Sequence, residues 1–250
     1  MKVILLAGGF GTRLAEHTST VPKPMVKIGN KPLLIHIIEL YLKYNYKDFY
    51  IALGYKSNVV TKYFKNFKNL NKKFHHKINN KICTITLIYT GANTFTGGRL
   101  KRVKKFINRK ENFMFTYGDG ISNVNLKNLE RFHKKHNRLV SVTAVRPPAR
   151  FGEIILRKNK VTLFKEKPQV TEGWINGGFF IAKYNFFDLI KGDTTILEKE
   201  PLEKASSSGQ LYAFKHKGFW KCMDTKRDKE VLETIYKKSK FKWRKITKNH

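Results

Sequence analysis

Along the first 145 residues of this 250-residue chain, short apolar runs alternate with stretches whose apolar residues recur at helical spacing. Residues 2–7 form an apolar run closed by Gly8, Gly9 and Gly11, which predicts a first strand and a loop. Residues 33–44 carry apolar residues at helical spacing, and Pro32 suits the start of that helix. Residues 49–53 then predict a strand, 57–64 a helix capped by Ser57, and 82–89 a strand rich in Ile and Thr. A helix at 100–107, a strand at 113–117, a helix at 126–136 and a strand at 139–145 complete the series. Such alternation implies an α/β fold with a mostly parallel sheet and helices on both faces.

Beyond Pro147 the pattern becomes richer in β signals. Residues 153–156 and 161–164 flank Lys158-Asn159-Lys160 as a hairpin, and 174–181 read as a strand. Helices are expected at 184–190, 197–207 and 225–238, with a strand at 211–216. No repeat or linker-like tract divides the chain, so residues 1–250 are expected to form one domain.

Composition narrows the functional classes. With 51 Lys and Arg against 18 Asp and Glu, the formal charge is +33, a value that raises the question of a nucleic-acid partner. The excess is mainly Lys and is scattered over nearly every segment, with no arginine-rich arm, helix-turn-helix or base-stacking motif. It therefore reads as charge on solvated faces, and no specific nucleic-acid partner is expected. The densest basic run, residues 62–81, is expected to be a solvated loop. Cys83 and Cys222 lack disulfide-framework or zinc-ligand spacing, which fits a reducing, cytoplasmic setting. No run reaches the roughly 18–20 apolar residues of a membrane-spanning helix.

Two short motifs point to phosphate chemistry. In Gly8-Gly9-Phe10-Gly11-Thr12-Arg13-Leu14, missing side chains let backbone amides approach an anion. No Gly-Lys-Ser/Thr closes it as a P-loop, and Leu14 stands where a dinucleotide fingerprint has its third glycine. In Pro22-Lys23-Pro24-Met25, two prolines of fixed φ hold a lysine between them and limit the entropy lost in aiming its ammonium.

Further motifs follow in order: Thr96-Gly97-Gly98-Arg99-Leu100-Lys101-Arg102, Tyr117-Gly118-Asp119-Gly120, Arg150-Phe151-Gly152, Phe164-Lys165-Glu166-Lys167-Pro168, Asn176-Gly177-Gly178-Phe179-Phe180, and Gly218-Phe219-Trp220-Lys221-Cys222-Met223-Asp224-Thr225. Together they resemble the sugar-1-phosphate nucleotidyltransferase family over almost the full chain. The Thr-Gly-Gly-Arg run and the closing Phe-Trp to Met-Asp-Thr segment resemble its glucose-1-phosphate cytidylyltransferase branch.

The resemblance implies a Rossmann-like sheet flanked by helices. A nucleotide-binding core would span about residues 1–145, and a β-rich sugar-phosphate-binding portion about 146–250. It implies transfer of CMP from CTP to α-D-glucose 1-phosphate, giving CDP-glucose and pyrophosphate, with Mg²⁺ as cofactor and a homo-oligomeric assembly. The alternatives are a relative using UTP, dTTP or another sugar 1-phosphate, and a regulatory homologue without catalysis.

It places Leu6, Ala7, Gly8, Gly9, Phe10, Gly11, Thr12, Arg13, Lys23, Thr94, Arg99 and Gly118 on the nucleotide. Gly152, Glu166, Lys167 and Asn176 fall on the sugar phosphate, and Asp119 and Asp224 on the metal. Arg13 and Lys23 carry the catalytic charge neutralisation. Several residues also have structural readings: Asp224 as a helix cap before Thr225, Arg99 as a solvated helix start, and Glu166 with Lys167 as an exposed ion pair. Trp174, Trp220 and Phe179 read as sugar-pocket walls or as core. Residues 67–81 are shorter and more basic than the branch pattern, so a lid or subunit contact there is expected to differ.

Overall fold

The computed structural model describes residues 1–11, 18–65, 69–146, 153–157, 159–165 and 173–238, with the backbone alone at 153–156 and 164–165. In chain order its strands are β1 (Val3–Ala7), β2 (Lys27–Ile28), β3 (Lys31–Pro32), β4 (Asp48–Leu53), β5 (Lys73–Ile78), β6 (Lys81–Tyr89), β7 (Phe113–Tyr117), β8 (Gly120–Ser122), β9 (Val140–Val145), β10 (Glu153–Arg157), β11 (Lys160–Lys165), β12 (Ile175–Asn176), β13 (Phe180–Ala182), β14 (Leu211–His216) and β15 (Trp220–Cys222). The helices are α1 (Leu33–Lys43), α2 (Ser57–Tyr63), α3 (Thr96–Val103), α4 (Leu126–His136), α5 (Glu200–Ser207) and α6 (Lys226–Lys238).

Nine strands make one sheet in the order β12-β9-β13-β7-β1-β4-β6-β5, with β14 paired to β9. β1 lies between β7 and β4 and is parallel to both, with Leu6 opposite Tyr117 on one side and Ala52 on the other. β6 extends the parallel centre, whereas β5, β12 and β13 pair antiparallel. The expected helix-flanked Rossmann-like sheet is present, and it is mixed.

All five β1 residues are buried, which explains why its sequence is a continuous apolar run rather than an alternating one. Val3, Leu5 and Ala7 face one core cluster with residues of α1, α2 and α4. Ile4 and Leu6 face the opposite cluster, built with α3 and α5. The period of two thus places helices on both faces of the sheet.

The structure corrects several local expectations. The basic run is not all loop: β5 occupies Lys73–Ile78 and pairs with β6, His75 opposite Thr84. Its lysines are exposed while Phe74 and Ile78 turn inward, as suits an edge strand kept soluble by charge. Ser57 is the first residue of α2 rather than its cap, because Lys56 takes the preceding position in a left-handed conformation with φ 49°. The strand expected at 174–181 is split into β12 and β13, since Gly178 and Phe179 have φ of 75° and 48° and break the ladder. The helix expected from residue 197 begins at Glu200, and residues 184–189 wind as a 3-10 turn.

Outside the main sheet, β8 and β15 form a two-stranded ribbon with Gly120 opposite Cys222. β8 begins three residues after β7, so the ribbon carries β15 back to the rim of the central strands.

Candidate active site

β1 and β7 end at a common rim, where ligands of open α/β sheets bind. There an open cleft of about 370 Å³ is lined by Leu6, Gly8, Gly9, Phe10, Gly11, Lys23, Thr94, Arg99, Gly118 and Asp119 among the expected residues. Ala7 lies just beneath, fully buried. Gly118 N–H donates to the Leu6 carbonyl at 3.0 Å, which closes the floor between the two strands.

Arg99 is 3% exposed, so the solvated-helix-start reading is excluded. Its guanidinium donates to Thr90 Oγ1 at 2.9 Å and to the carbonyls of Leu53, Gly91 and Ala92 at 3.2, 2.7 and 2.9 Å. A Cβ on Gly8 would stand 2.2 Å from that guanidinium, so only glycine lets the first loop lie against it. Arg99 therefore braces the loop from below by tying the ends of β4 and β6 to it.

Lys23 opens a 3-10 turn after Pro22, whose φ of −67° and ψ of 149° deliver the chain extended, and its side chain is directed inward. Lys23 Nζ donates to Asp119 Oδ2 at 2.8 Å and to Asp224 Oδ1 at 2.5 Å. Burial disfavours the ammonium, but the charge of Asp119 and the hydrogen bonds that the ammonium donates to both carboxylates outweigh it and raise the lysine pKa. Lys23 is held as a cation.

The two aspartates meet because of the ribbon: Met223 N–H donates to the Asp119 carbonyl at 2.9 Å, directly beyond the Gly120 to Cys222 pairing. Asp224 is not the helix cap. Thr225 Oγ1 accepts from Asp228 N–H at 3.2 Å while the Asp228 carboxylate accepts from Thr225 N–H at 2.9 Å, a reciprocal capping box. The Asp224 side chain is thereby free of that duty and turns to Lys23.

The chain matches the family model described as nucleotidyl transferase over residues 2–228. The chain belongs to the nucleotidyl transferase family. It is 44% identical to a glucose-1-phosphate cytidylyltransferase from Salmonella typhimurium, over 98% of this chain and 99% of that protein. It is 31% identical to a mannose-1-phosphate guanyltransferase from Aspergillus oryzae, over 93% of this chain and 62% of that protein. Among solved structures, a UDP-glucose pyrophosphorylase complexed with UDP-glucose is similar with a TM-score of 0.70 at 18% identity, covering 95% of this chain and 98% of that one. The HddC protein of Yersinia pseudotuberculosis is similar with a TM-score of 0.70 at 23% identity, covering 94% and 99%. These likenesses to solved structures bear on the fold.

In this nucleotidyl transferase the carboxylates of Asp119 and Asp224 and the Cys222 thiol offer ligand atoms within 4.8 Å of one another. The Lys23 ammonium already lies between the carboxylates, so they converge on a positive charge. Burial, followed by the charge of Asp119, pushes the Cys222 thiol up, so the sulfur is neutral at ordinary pH. The two carboxylate oxygens are donors of the kind a hard divalent cation takes.

Asn176 lies at the edge of the same site, its Nδ2 donating to the Tyr117 hydroxyl at 3.1 Å. Thr12, Arg13, Gly152, Glu166 and Lys167 lie outside the described residues. Phe179 is core, 1% exposed, and the Trp220 indole N–H is committed to the Gly177 carbonyl at 2.7 Å. Trp174 is half-buried, with the Arg146 guanidinium 4.6 Å from its ring centre. The cleft also has lining residues that were not singled out from the sequence: Pro24, Phe95, Thr96, Tyr117, Ile196 and Glu198. Three of these, Pro24, Thr96 and Tyr117, lay inside quoted motifs, whereas Ile196 and Glu198 had no local signal. Among the described residues, no helix is long and apolar enough to cross a membrane.

Proposed function

We propose that this chain transfers CMP from CTP to α-D-glucose 1-phosphate, releasing pyrophosphate and forming CDP-glucose, with Mg²⁺ as the working cation. The observation that carries the reading is the convergence of Lys23, Asp119 and Asp224 beside the glycine loop, in a chain 44% identical to a glucose-1-phosphate cytidylyltransferase. The reaction is an in-line attack of a sugar-phosphate oxygen on the α-phosphorus, which asks of a protein mainly positioning and charge neutralisation. When bound by Asp119 and Asp224, Mg²⁺ supplies Lewis-acid polarisation of phosphate oxygens.

This chain's own residues do the rest. The open backbone of residues 8–11 admits the triphosphate, Lys23 neutralises charge growing on it, and Arg99 keeps that loop in place from below. Gly118 and Thr94 bound the nucleotide, and Asn176 meets the sugar at the cleft edge. Arg13 would add a second cation on the leaving pyrophosphate, with Gly152, Glu166 and Lys167 holding the sugar phosphate. The two free cysteines fit work in a reducing cytoplasm.

The test is pyrophosphate release from glucose 1-phosphate with CTP, UTP, dTTP, ATP or GTP in turn, each with Mg²⁺ and with chelator. Preference for CTP that vanishes in chelator is expected. Preference for another nucleotide overturns the base assignment, and release undiminished by chelator overturns the metal role.

A further inference from the structure

Glu198 puts a carboxylate on the wall of a cleft proposed to hold a polyanion, and the transfer chemistry above does not use it. The segment carrying it is clamped to the start of α3. Phe95 N–H donates to the Asp193 carbonyl at 2.8 Å and Gly97 N–H to the Thr195 carbonyl at 2.9 Å. The Arg102 guanidinium also grips the Asp193 carboxylate with two bonds of 2.8 and 2.5 Å. A Cβ on Gly98 would stand 2.5 Å from Asp193 backbone, and one on Gly97 2.8 Å from the Thr195 carbonyl oxygen. The paired glycines of the Thr-Gly-Gly-Arg motif thus serve close packing that fixes Glu198 at the cleft.

Hydrogen-bond directions make Glu198 an acceptor on both sides. Leu197 N–H donates to Thr96 Oγ1 at 2.9 Å, which leaves the Thr96 hydroxyl proton to Glu198 Oε2 at 2.8 Å. Opposite, Asn176 donates to the Tyr117 oxygen, so the phenolic proton goes to the adjacent Glu198 carboxylate. Burial first, and then the charge of Glu198, raise the Tyr117 pKa, and the phenol keeps that proton. Among the described residues no Lys or Arg forms an ion pair with Glu198, although the chain carries 51 of them.

A carboxylate offers roughly four acceptor positions, and these contacts use two. Phosphate would be repelled there, whereas a neutral donor is matched. Asn176, expected on sugar hydroxyls, is one phenol away, which favours a hydroxyl over a base edge.

We propose that Glu198 is a substrate-binding residue that accepts a hydrogen bond from a sugar hydroxyl, on either the nucleotide ribose or the hexose 1-phosphate. The proposal rests on the transfer reaction above.

The test compares wild type with Glu198→Gln, which preserves shape and leaves an acceptor for Thr96 and Tyr117. Titration calorimetry and kcat/KM are measured for CTP against 2′-deoxy- and 3′-deoxy-CTP, and for glucose 1-phosphate against its monodeoxy analogues. Wild type should prefer one hydroxyl-bearing substrate over its deoxy form by roughly ten- to hundredfold, the range of a hydrogen bond to a charged group. Glu198→Gln should lose that preference and leave the others unchanged, and the affected pair identifies the ribose or the hexose. Unchanged discrimination on every pair overturns the proposal. Equal weakening of all substrates with a lowered melting temperature also overturns it, because that is a structural role. A change confined to the ratio of CTP to UTP overturns it too, since it assigns Glu198 to the base. Absence of turnover by wild type with every nucleotide counts against the proposed reaction instead, and the calorimetric comparison still decides Glu198.

Discussion

Replacing Lys23 with methionine removes the ammonium between the two aspartates and keeps most of the buried stem. The ligand oxygens of Asp119 and Asp224 lie within 4.8 Å of each other. Two like charges at that separation repel by about 3 kcal/mol at an effective dielectric constant of about 20. Breaking a buried pair by removing one partner costs about 3–5 kcal/mol, an independent guide of the same size. The aspartate side chains are 30% and 20% exposed, so solvent screening holds the loss to the lower end. A loss of about 3 kcal/mol lowers the melting temperature of a chain this long by roughly 6–12 °C. The assay is scanning calorimetry of Lys23→Met and wild type, in chelator and in saturating Mg²⁺. Mg²⁺ should restore most of the loss in the variant, because a cation replaces the missing charge. It should stabilise wild type less, because there it competes with the ammonium. An unchanged melting temperature in chelator, or equal Mg²⁺ gains in both proteins, would refute the reasoning.

Asp119→Asn and Asp224→Asn should each lower kcat/KM at least about 10²-fold with an unchanged far-ultraviolet circular dichroism spectrum, and near-wild-type turnover in either would remove it from the metal site. Thr225→Ala should cost about 1 kcal/mol by opening the capping box of α6, read as a fall of roughly 2–4 °C in melting temperature. His133 is 1% exposed and hydrogen-bonds Ser141 at 2.8 Å; burial first, then His136 and Lys183, lower its pKa to about 4. The unfolded chain then binds the proton more readily than the folded one. Stability is complete above the unfolded value near 6.5 and is lost as pH falls towards about 4. Urea unfolding at pH 5 should show about 2 kcal/mol less stability from this group than at pH 7.5. That difference should shrink in His133→Gln, and an identical pH dependence in the two proteins would exclude the buried imidazole as its source.

What the sequence made legible was whatever depends on local chemistry. The β1 run, the apolar α1 and the proline-flanked Lys23 each carry their own signal, and the structure has them in the expected places. The edge strand β5 was hidden because its Lys and His residues alternate with only two inward apolar positions, so composition masked period two. The ribbon of β8 and β15 has three residues per strand, too few to announce themselves, and exists through pairing with a distant partner. Asp224 shows the same limit at the site. The sequence reads it as a helix cap or a metal ligand, and only the structure gives the cap to Thr225 and Asp228 and turns the Asp224 side chain to Lys23. Glu198 was missed for a different reason: the segment was read as helix from residue 197, whereas residues 197–199 form a turn that buries Leu197 and places Glu198 on the cleft wall.

The charge of +33 fits the same division between local and global causes. Among the described residues lining the cleft, Lys23 and Arg99 face Asp119 and Glu198, so two positive charges meet two negative ones and the wall is balanced. The excess lies elsewhere, on exposed positions such as the lysines of β5. A protein whose charge served to grip a polyanion would concentrate it where the polyanion binds. In the cleft each charge is held in place, by two prolines at Lys23, by four acceptors at Arg99 and by the Thr96 hydroxyl at Glu198, whereas the surrounding lysines add a diffuse attraction that salt screens within a Debye length.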